Sequence, residues 1–301
     1  MRSELASVLI VGGSGNLGRK LTELLTEKNF KVRWLTRKLN SKINIKQFEW
    51  DFEKAFIDTA CFEKTDILIN LAGASIRDKR WTKHYKNEIY NSRVLATRFL
   101  REVIECNKYR IRTFIQGSAV GYYGNQTTSD MMAEDHFPGK DFLAKTCEEW
   151  ELEAKKFSEL GCRVCIMRTG VVFSPGNEAY ETMLKLADYK IGSTLGDGHQ
   201  YFPWIHLEDW CRMVIFLIED QLLRGAFNAV APHQIKQAEL NTFFHKKTGK
   251  KQMIHSTPAW FTKLLFGEMA ENLLNGSSIS AQKILNAGFK YKYPDLNSML
   301  K

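Results

Sequence analysis

A short glycine-rich segment near the start of the chain has the residue types and spacing of a phosphate-binding turn. The apolar run Ser7–Val11 leads into Gly12, Gly15 and Gly18, and a helix-like segment follows. In this pattern Gly12 makes the tight turn after a strand, Gly15 lets the backbone approach a pyrophosphate, and Gly18 lets the helix pack closely. Asn16–Leu17 would begin that helix, where unpaired amides attract negative charge. The spacing therefore predicts a dinucleotide-binding turn.

The segments after the turn support this prediction and favour one dinucleotide. Arg19–Leu25 has apolar residues at helical spacing, and Lys31–Thr36 has the composition of a second strand. That strand ends in Thr36, Arg37 and Lys38, without the acidic residue that usually holds the ribose 2′-hydroxyl of NAD. Because Arg37 can form charge-assisted hydrogen bonds with a 2′-phosphate and Thr36 can add a hydroxyl, we expect NADP(H). A solvated basic loop is the alternative.

Composition limits the other functions open to the chain. Its 301 residues are 44% hydrophobic, enough for a full core. The net charge of +9 suits anionic ligands, but the basic residues are scattered among 34 acidic ones, so we expect no nucleic-acid partner. No apolar run reaches the length of a membrane span, and Met1–Leu5 lacks the apolar core of a signal peptide. We expect a soluble, cytoplasmic protein with no membrane partner.

The cysteines predict neither a disulfide framework nor a metal centre. They stand at Cys61, Cys106, Cys147, Cys162, Cys165 and Cys211, without disulfide-rich or zinc-like repetition, which is typical of a reducing compartment. Cys162 and Cys165 have the spacing of a redox motif. Because they fall in a predicted strand, however, their odd separation directs the two side chains to opposite faces. We interpret them as buried structural thiols.

The order of predicted elements places the glycine-rich turn in a parallel sheet. After the first two strands, further strands are predicted at 47–51, 65–73, 112–118 and 162–173, with helices at 80–106 and 142–160. This alternation is typical of an α/β protein with a Rossmann-type doubly wound parallel sheet and helices on both faces.

The residue composition of the chain changes after Phe173. Glycines and aromatic residues cluster within 192–204, and a helical patch is predicted at 259–274. We therefore expect an NADP(H)-binding Rossmann domain at 1–173, to which some later segments return, and a smaller α/β substrate lobe with a C-terminal extension at 174–301.

Several further motifs, taken together and in order, carry a family resemblance. They are Leu71–Gly73, Lys79–Trp81, Asn91–Arg93, Gly117–Gly124, Arg168–Val172, Phe202–His206, Ala287–Phe289 and Tyr293–Leu296. Over nearly its whole length the chain resembles the extended short-chain dehydrogenases/reductases, and within them an atypical branch of NAD(P)-dependent epimerase-like proteins.

The resemblance implies a set of cofactor contacts around the turn. Thr36 and Arg37 would hold the 2′-phosphate of NADP(H), and Leu71, Ala72 and Gly73 would lie beside the ribose and pyrophosphate. Two helix residues, Glu88 and Arg93, would line the same cleft. They are five residues apart on a predicted helix and need not face each other, so a solvated position is the alternative for each.

The chain departs from the family where the chemistry is usually done. Ordinary members use a Tyr with a Lys four residues later, assisted by a Ser in the preceding strand. Matching Glu151 to the family's acidic position puts Leu143 and Cys147 where that Tyr and Lys would stand. Neither performs the proton transfer at neutral pH. The nearby substitutes are Ser118, Tyr122, Tyr123 and Lys145. A packed wall is the alternative for the tyrosines, and a solvated helix position is the alternative for Lys145.

A second departure concerns the substrate. Sugar-nucleotide epimerases of the family usually carry an Arg four residues before the His of the strand-to-helix turn, and here Phe202 precedes His206 at that distance. The segment His199–Trp204 instead suggests an aromatic-lined pocket for a small molecule, with core packing between the lobes as an equal alternative. His199 could act as a donor or base, or be hydrogen-bonded in place.

Three functions follow from these residues, in decreasing order of support. The first is an NADP(H)-dependent oxidoreductase or epimerase-like protein acting on a small carbonyl or alcohol. The second is a catalytically weak NADP(H)-binding sensor or partner-binding protein, which would keep the cleft without the proton relay. The third is a sugar-nucleotide epimerase. Each is compatible with a homodimer.

Overall fold

The structure is a computed structural model that describes residues 6–125, 130–250 and 253–300. Residues 1–5, on which the signal-peptide expectation rests, lie outside the described residues. The strands are β1 (Ser7–Val11), β2 (Lys31–Thr36), β3 (Lys46–Asp51), β4 (Phe56–Ile57), β5 (Ile67–Asn70), β6 (Thr113–Ala119), β7 (Arg163–Thr169), β8 (Val171–Val172), β9 (Ile191–Leu195), β10 (Trp204–Ile205), β11 (Gly225–Ala229) and β12 (Ile254–Thr257).

Helices connect and cover these strands. They are α1 (Asn16–Glu27), α2 (Lys83–Asn91), α3 (Val94–Cys106), α4 (Phe142–Lys155), α5 (Glu178–Asp188), α6 (Leu207–Glu219), α7 (Gln237–Thr248), α8 (Ala259–Phe266), α9 (Ala270–Leu274) and α10 (Gln282–Asn286). Short 3₁₀ segments lie at Thr59–Phe62, Val120–Tyr123, Lys156–Leu160, Gly267–Met269 and Leu296–Met299.

The main sheet has the predicted doubly wound topology. In the described ranges eight strands pair in the order β11-β7-β6-β5-β1-β2-β3-β4, and all neighbouring pairs are parallel except β3 with β4. The chain runs outward from β1 through β2 and β3, then crosses over to β5. The direction of winding therefore reverses between β1 and β5. In open α/β sheets a ligand crevice forms at the carboxyl ends of the two strands flanking this reversal.

Alternation along β1 explains why helices cover both faces. Val8 and Ile10 pack with α1 and α6 on one side, whereas Leu9 and Val11 pack with α3 and α4 on the other. Successive side chains of a strand point to opposite faces, so a wholly apolar strand needs cover on both. The five residues of β1 are accordingly all buried.

Two predicted strand boundaries were wrong. The predicted strand at 65–73 extends only over 67–70, and the one predicted at 162–173 divides at Gly170 into β7 and β8. A Cβ at Gly170 would lie 2.6 Å from the carbonyl oxygen of Pro203, because the chain crosses closely there. β8 consequently leaves the main sheet and pairs with β10.

The predicted helices were also too continuous. The stretch 80–106 contains α2 and α3, separated at Ser92–Arg93, and 142–160 ends in a 3₁₀ segment after α4. At the first break the Ser92 hydroxyl donates to the carbonyl of Ile89 and accepts from the amide of Ala74. The Ser92 hydroxyl thus ties the break to the loop after β5.

The residues after β8 serve both the main sheet and a smaller unit. β11 extends the main sheet beside β7, and α6 packs against α1. By contrast, β9 pairs in parallel with β12, and α5 and α7 pack over an aromatic cluster that includes Phe173 and Tyr180.

Among the helices of the described ranges, none combines the length and apolar character needed to span a membrane.

Candidate functional site

The glycine-rich turn lies at the reversal point of the sheet. Gly12 follows β1 with φ +77°, in the left-handed region that favours glycine, and its amide donates to the carbonyl of Leu35 at 3.0 Å. A Cβ on Gly12 would lie 3.2 Å from the backbone of Leu71 and Ala72, so the ends of β1 and β5 nearly touch there. The crevice predicted by topology therefore begins at this turn.

The same turn delivers the start of α1 to the crevice. Gly15 is the N-cap residue, and Asn16 beside it is exposed. The first amides of a helix have no intrahelical partner and are free to bind an anion. A Cβ on Gly18 would lie 2.6 Å from Gly13, so the helix packs against the turn as closely as the spacing predicted.

Gly13 is a structural requirement that the spacing argument did not identify. A Cβ on it would lie 2.4 Å from the indole ring of Trp34 on β2. The indole nitrogen donates to the hydroxyl of Thr22 on α1 at 2.8 Å, which fixes the ring under the turn. In the sequence, only the presence of a second glycine directly after Gly12 indicated this requirement.

The end of β2 presents one buried hydroxyl and two exposed cations. Thr36 is buried and its hydroxyl lies 3.3 Å from the carbonyl oxygen of Lys38, while Arg37 and Lys38 are exposed. β2 is the neighbour of β1, so these residues flank the glycine-rich turn at the same edge of the sheet. A guanidinium in this place suits a phosphate on the adenosine ribose.

A buried asparagine holds the other wall of the crevice. Asn70 donates to Thr97 at 2.9 Å and to Gln116 at 3.0 Å, and its carbonyl oxygen accepts the amide of Ala72 at 3.2 Å. These bonds set the path of Leu71–Ala72 as the chain leaves β5. Asn70 positions residues that the sequence had assigned to cofactor contact, although it had not itself been assigned a role.

Arg93 lies against this wall, whereas Glu88 is engaged elsewhere. A Cβ on Gly73 would lie 3.1 Å from the guanidinium carbon of Arg93, whose Nη1 donates to the carbonyl of Ile89 at 3.1 Å. The guanidinium also stands 5.3 Å from the ring of Trp150, and burial lowers its pKa. Glu88 forms an ion pair with Lys79 at 3.2 Å.

An arginine–glutamate pair is buried behind the crevice. Arg168 on β7 forms two hydrogen bonds of 2.9 Å with the carboxylate of Glu151 on α4, and both side chains are at most 3% exposed. Burial opposes the charge on Arg168, but the hydrogen bonds and charge of Glu151 outweigh that effect and raise the guanidinium pKa. The hydroxyl of Ser118 donates to the same carboxylate at 2.8 Å.

The two predicted tyrosines pack on this pair. The hydroxyl of Tyr123 donates to Asn228 at 2.7 Å and accepts from Arg168 at 3.0 Å. Burial raises the pKa of Tyr123 to about 12. The ring of Tyr122 lies 3.4 Å from the guanidinium carbon of Arg168. The structure thus brings Ser118, Tyr122 and Tyr123 into one buried network, in which each contacts Glu151 or Arg168. Lys145 lies outside this network, exposed on α4.

The residues that stand at the family's Tyr and Lys positions, Leu143 and Cys147, pack in an apolar environment. Leu143 and Cys147 both approach Gly121, at 3.6 and 3.9 Å from where its Cβ would stand. Burial raises the pKa of the Cys147 thiol to about 12, so it remains neutral at physiological pH. Neither side chain supplies a proton relay.

Two rings of the segment 199–204 pack in the aromatic cluster of the smaller unit. Trp204 is 1% exposed, and Phe202 packs edge-on against buried Phe173 with 5.6 Å between ring centres. The core-packing alternative therefore holds for Trp204 and for the face of Phe202 that packs on Phe173. Phe202 and Tyr201 retain partial exposure, and His199 is exposed.

A second apolar cluster borders the crevice and was not predicted. Trp81, Tyr85 and Ile89 pack with Met269, and Phe142, Leu143 and Leu273 pack around them. The indole of Trp81 donates to the carbonyl of Ile76 at 2.8 Å, which folds the loop after β5 over the cluster. These residues come from three separate stretches of chain, 76–89, 142–143 and 269–273, so no local pattern could reveal their contact.

Two family models match the chain. The NAD dependent epimerase/dehydratase family matches residues 8–229, and a domain of unknown function (DUF1731) matches residues 257–301. The epimerase family protein SSP1921 of Staphylococcus saprophyticus is 34% identical over 97% of this chain and 97% of its own length.

Solved structures show the same architecture. The human epimerase family protein SDR39U1 (isoform 2), crystallised with NADPH, is 28% identical with a TM-score of 0.87, over 98% of this chain and 97% of its own. A nucleoside-diphosphate sugar epimerase from Corynebacterium glutamicum is 27% identical with a TM-score of 0.80, over 99% of this chain and 57% of its own.

Proposed function

Since this chain belongs to the NAD dependent epimerase/dehydratase family, we propose that it is an NADP(H)-dependent oxidoreductase acting on a small carbonyl or alcohol. One observation carries the choice of cofactor: the end of β2 presents Arg37 and Lys38, both exposed, and no carboxylate. The human relative crystallised with NADPH supports the same choice.

The described residues fit a bound dinucleotide. The amides of Asn16 and Leu17 would hold the pyrophosphate, and Gly12 and Gly15 keep side chains out of its way. Thr36 and Arg37 would hold the 2′-phosphate. When bound, the nicotinamide supplies hydride chemistry, and the protein orients the ring against the substrate.

The other wall of the crevice would complete the cofactor site. Leu71, Ala72 and Gly73 would border the ribose, in the path set by Asn70. The guanidinium of Arg93 donates to the carbonyl of Ile89 and lies against the indole of Trp150, and it would offer its remaining donors to an anionic part of the cofactor. Glu88 would lie at the rim of the crevice, where it forms an ion pair with Lys79. The substrate would bind between this wall and residues 174–301.

A cofactor titration tests this proposal. NADPH and NADH are titrated into wild-type protein and into Arg37→Ala, following the fluorescence of the reduced nicotinamide. A hydrogen bond with a charged group contributes about 1.5–3 kcal/mol, so the variant should lose about 10- to 100-fold in NADPH affinity and little in NADH affinity.

Arg112→Ala is the matched control for this titration. Arg112 is 82% exposed and immediately precedes β6, at the opposite edge of the sheet from the turn. Its replacement should leave both affinities unchanged. Equal binding of NADPH and NADH by the wild type, with no effect of Arg37→Ala, would overturn the NADP(H) assignment.

A catalytically weak NADP(H) sensor is the second candidate function. It is favoured by the apolar positions Leu143 and Cys147 and by the engagement of the Tyr123 hydroxyl inside a buried network. Such a protein would bind NADPH normally and fail to oxidise it with any carbonyl compound. A sugar-nucleotide epimerase remains third, because Phe202 packs on Phe173 where a diphosphate-binding Arg would be expected.

A further inference from the structure

Two arginines at the crevice differ in whether the protein supplies a counter-charge. Arg168 forms an ion pair with Glu151 at 2.9 Å. Arg93 forms no ion pair with a carboxylate of the described residues, and the ionisable groups that act on its charge are the thiol of Cys147 and the hydroxyl of Tyr85. Burial raises the pKa of both groups, so both are neutral at pH 7. An arginine stays protonated in a protein, and a desolvated charge without a partner marks a functional site.

The guanidinium of Arg93 presents one edge to the crevice wall. Its Nη1 donates to the carbonyl of Ile89 at 3.1 Å, on the side of the helix. Nη2 and Nε lie 3.2 and 3.4 Å from the position that a Cβ on Gly73 would take. Gly73 is exposed and follows the end of β5, so the absence of its side chain leaves room for the charge beside the crevice.

Trp150 holds this charge in place. Its ring centre lies 5.3 Å from the guanidinium carbon of Arg93. The indole nitrogen donates to the hydroxyl of Thr97 at 2.9 Å, and Asn70 donates to the same hydroxyl at 2.9 Å. Asn70 also accepts the amide of Ala72. One set of hydrogen bonds therefore positions both the arginine and the wall of the crevice, and such a network is rigid.

The sheet topology places Arg93 and Arg37 on opposite sides of the glycine-rich turn. In the strand order β6-β5-β1-β2, Arg37 follows β2, whereas Arg93 lies against Gly73 after β5. A dinucleotide binds across the reversal point of such a sheet, with its adenosine ribose at the end of β2. Its nicotinamide half would therefore extend toward β5 and β6, the side on which Arg93 lies.

The two redox forms of the cofactor differ in charge in this half. The nicotinamide ring is positively charged in NADP⁺ and neutral in NADPH, while the phosphates are the same in both. We propose that Arg93 determines which redox form the site prefers, because its positive charge weakens the binding of NADP⁺ relative to NADPH. The donors of Arg93 can hold a phosphate in either form, so only the ring distinguishes the two.

This inference rests on the proposed function and gives it a direction. A site that fills with NADPH in the presence of NADP⁺ is suited to reducing a carbonyl rather than to oxidising an alcohol.

Binding of the two forms measures this preference without turnover. NADPH is titrated by its fluorescence and NADP⁺ by displacement of NADPH, in wild type and in Arg93→Met, which removes the charge. Repulsion between like charges in a partly buried site should make the ratio Kd(NADP⁺)/Kd(NADPH) about tenfold larger in wild type than in the variant. A ratio taken within each protein cancels any general change in affinity caused by the substitution.

Three further variants control for charge and for folding. Arg93→Gln removes the same charge with a polar side chain and should give the ratio of Arg93→Met, whereas Arg93→Lys retains the charge and should stay near the wild-type ratio. Arg98→Met is the matched control on the same helix, because Arg98 is 44% exposed and pairs with Glu153. It should leave both affinities unchanged.

Equal ratios in wild type and in the two neutral variants overturn the proposal, even if those variants bind both forms more weakly. Arg93 would then act on a group that the two forms share. The same conclusion follows if the neutral variants bind neither form.

The titrations also separate this inference from the proposed function. If wild type does not bind NADPH, or binds it no better than NADH with or without Arg37, the proposed function fails. If NADPH binding depends on Arg37 but the ratio does not depend on Arg93, the inference fails and the cofactor assignment stands.

Discussion

Replacing Glu151 with Gln should destabilise the protein far more than the same change at Glu153, two residues along α4. Glu151 receives two hydrogen bonds from Arg168 and one from Ser118, and both members of the ion pair are at most 3% exposed. The amide keeps the shape of the side chain and removes its charge. The Arg168 guanidinium is then left buried without a counter-charge.

The size of the effect follows from that burial. Breaking a buried ion pair by removing one partner costs about 3–5 kcal/mol. In a chain of 301 residues each kcal/mol lowers Tm by about 1–2 °C, so Glu151→Gln should lower Tm by about 3–10 °C. Calorimetry or a fluorescence melt at neutral pH measures the shift.

Glu153→Gln is the control because its carboxylate is nearly as buried but its hydrogen-bonding partners are not. Glu153 is 5% exposed, whereas Arg98 and Lys156 are each 44% exposed and can return to water. A third cation, Arg101, is 3.9 Å from Glu153 and keeps a closer partner in Glu105, at 2.7 Å. Burial raises the pKa of Glu153, but hydrogen bonds from Lys156 and Arg98 outweigh this and lower it. Exposed partners limit the loss to about 1 kcal/mol, or about 1–2 °C in Tm.

A double variant distinguishes loss of charge balance from loss of packing. Adding Arg168→Met to Glu151→Gln removes the uncompensated cation, so the double variant should recover part of the lost Tm. Equal Tm shifts for Glu151→Gln and Glu153→Gln would refute the reasoning. A double variant that loses more Tm than its two single variants lose together would also refute the reasoning.

Two further outcomes are expected. Tyr123→Phe leaves Asn228 and Arg168 each short of a buried hydrogen bond, so the free energy of unfolding should fall by about 1–3 kcal/mol while NADPH affinity stays within about twofold; an unchanged Tm would contradict this. Burial lowers the pKa of His206, so the unfolded chain binds a proton at this residue more readily than the folded chain. The stability that His206 contributes is therefore present above about pH 6.5 and is lost as the pH falls below that value. Tm measured between pH 7 and pH 5 should therefore fall more steeply in wild type than in His206→Gln, and parallel profiles would contradict the assignment.

Much of the site could be predicted because local pattern specifies local geometry. The Gly12–Gly18 spacing requires a tight turn between a strand and a helix, and that turn is present with φ +77° at Gly12. The end of β2 likewise lies beside it, because strands that follow one another in a βαβ unit pair in parallel. These features depend on residues within about 30 positions of one another.

Other predictions failed where packing overrides pattern. The aromatic residues at 202–204 allowed either a ligand pocket or core packing, and Trp204 takes the second, buried among rings from distant helices. The stretch 162–173 was predicted as one strand, yet the close crossing of Gly170 and Pro203 divides it into β7 and β8. Composition does not distinguish a buried aromatic ring from one that lines a cleft.

The sequence by itself determined the α/β class, the parallel sheet, the glycine-rich turn and the cations at the end of β2. Periodicity and turn chemistry act over short stretches of chain, and these features need nothing more. Only the tertiary structure decided that Ser118, Tyr123, Glu151 and Arg168 form one buried network and that Trp81, Leu143 and Met269 pack in one cluster. Those contacts join residues far apart in sequence, and the burial that sets their energies exists only once the chain has packed.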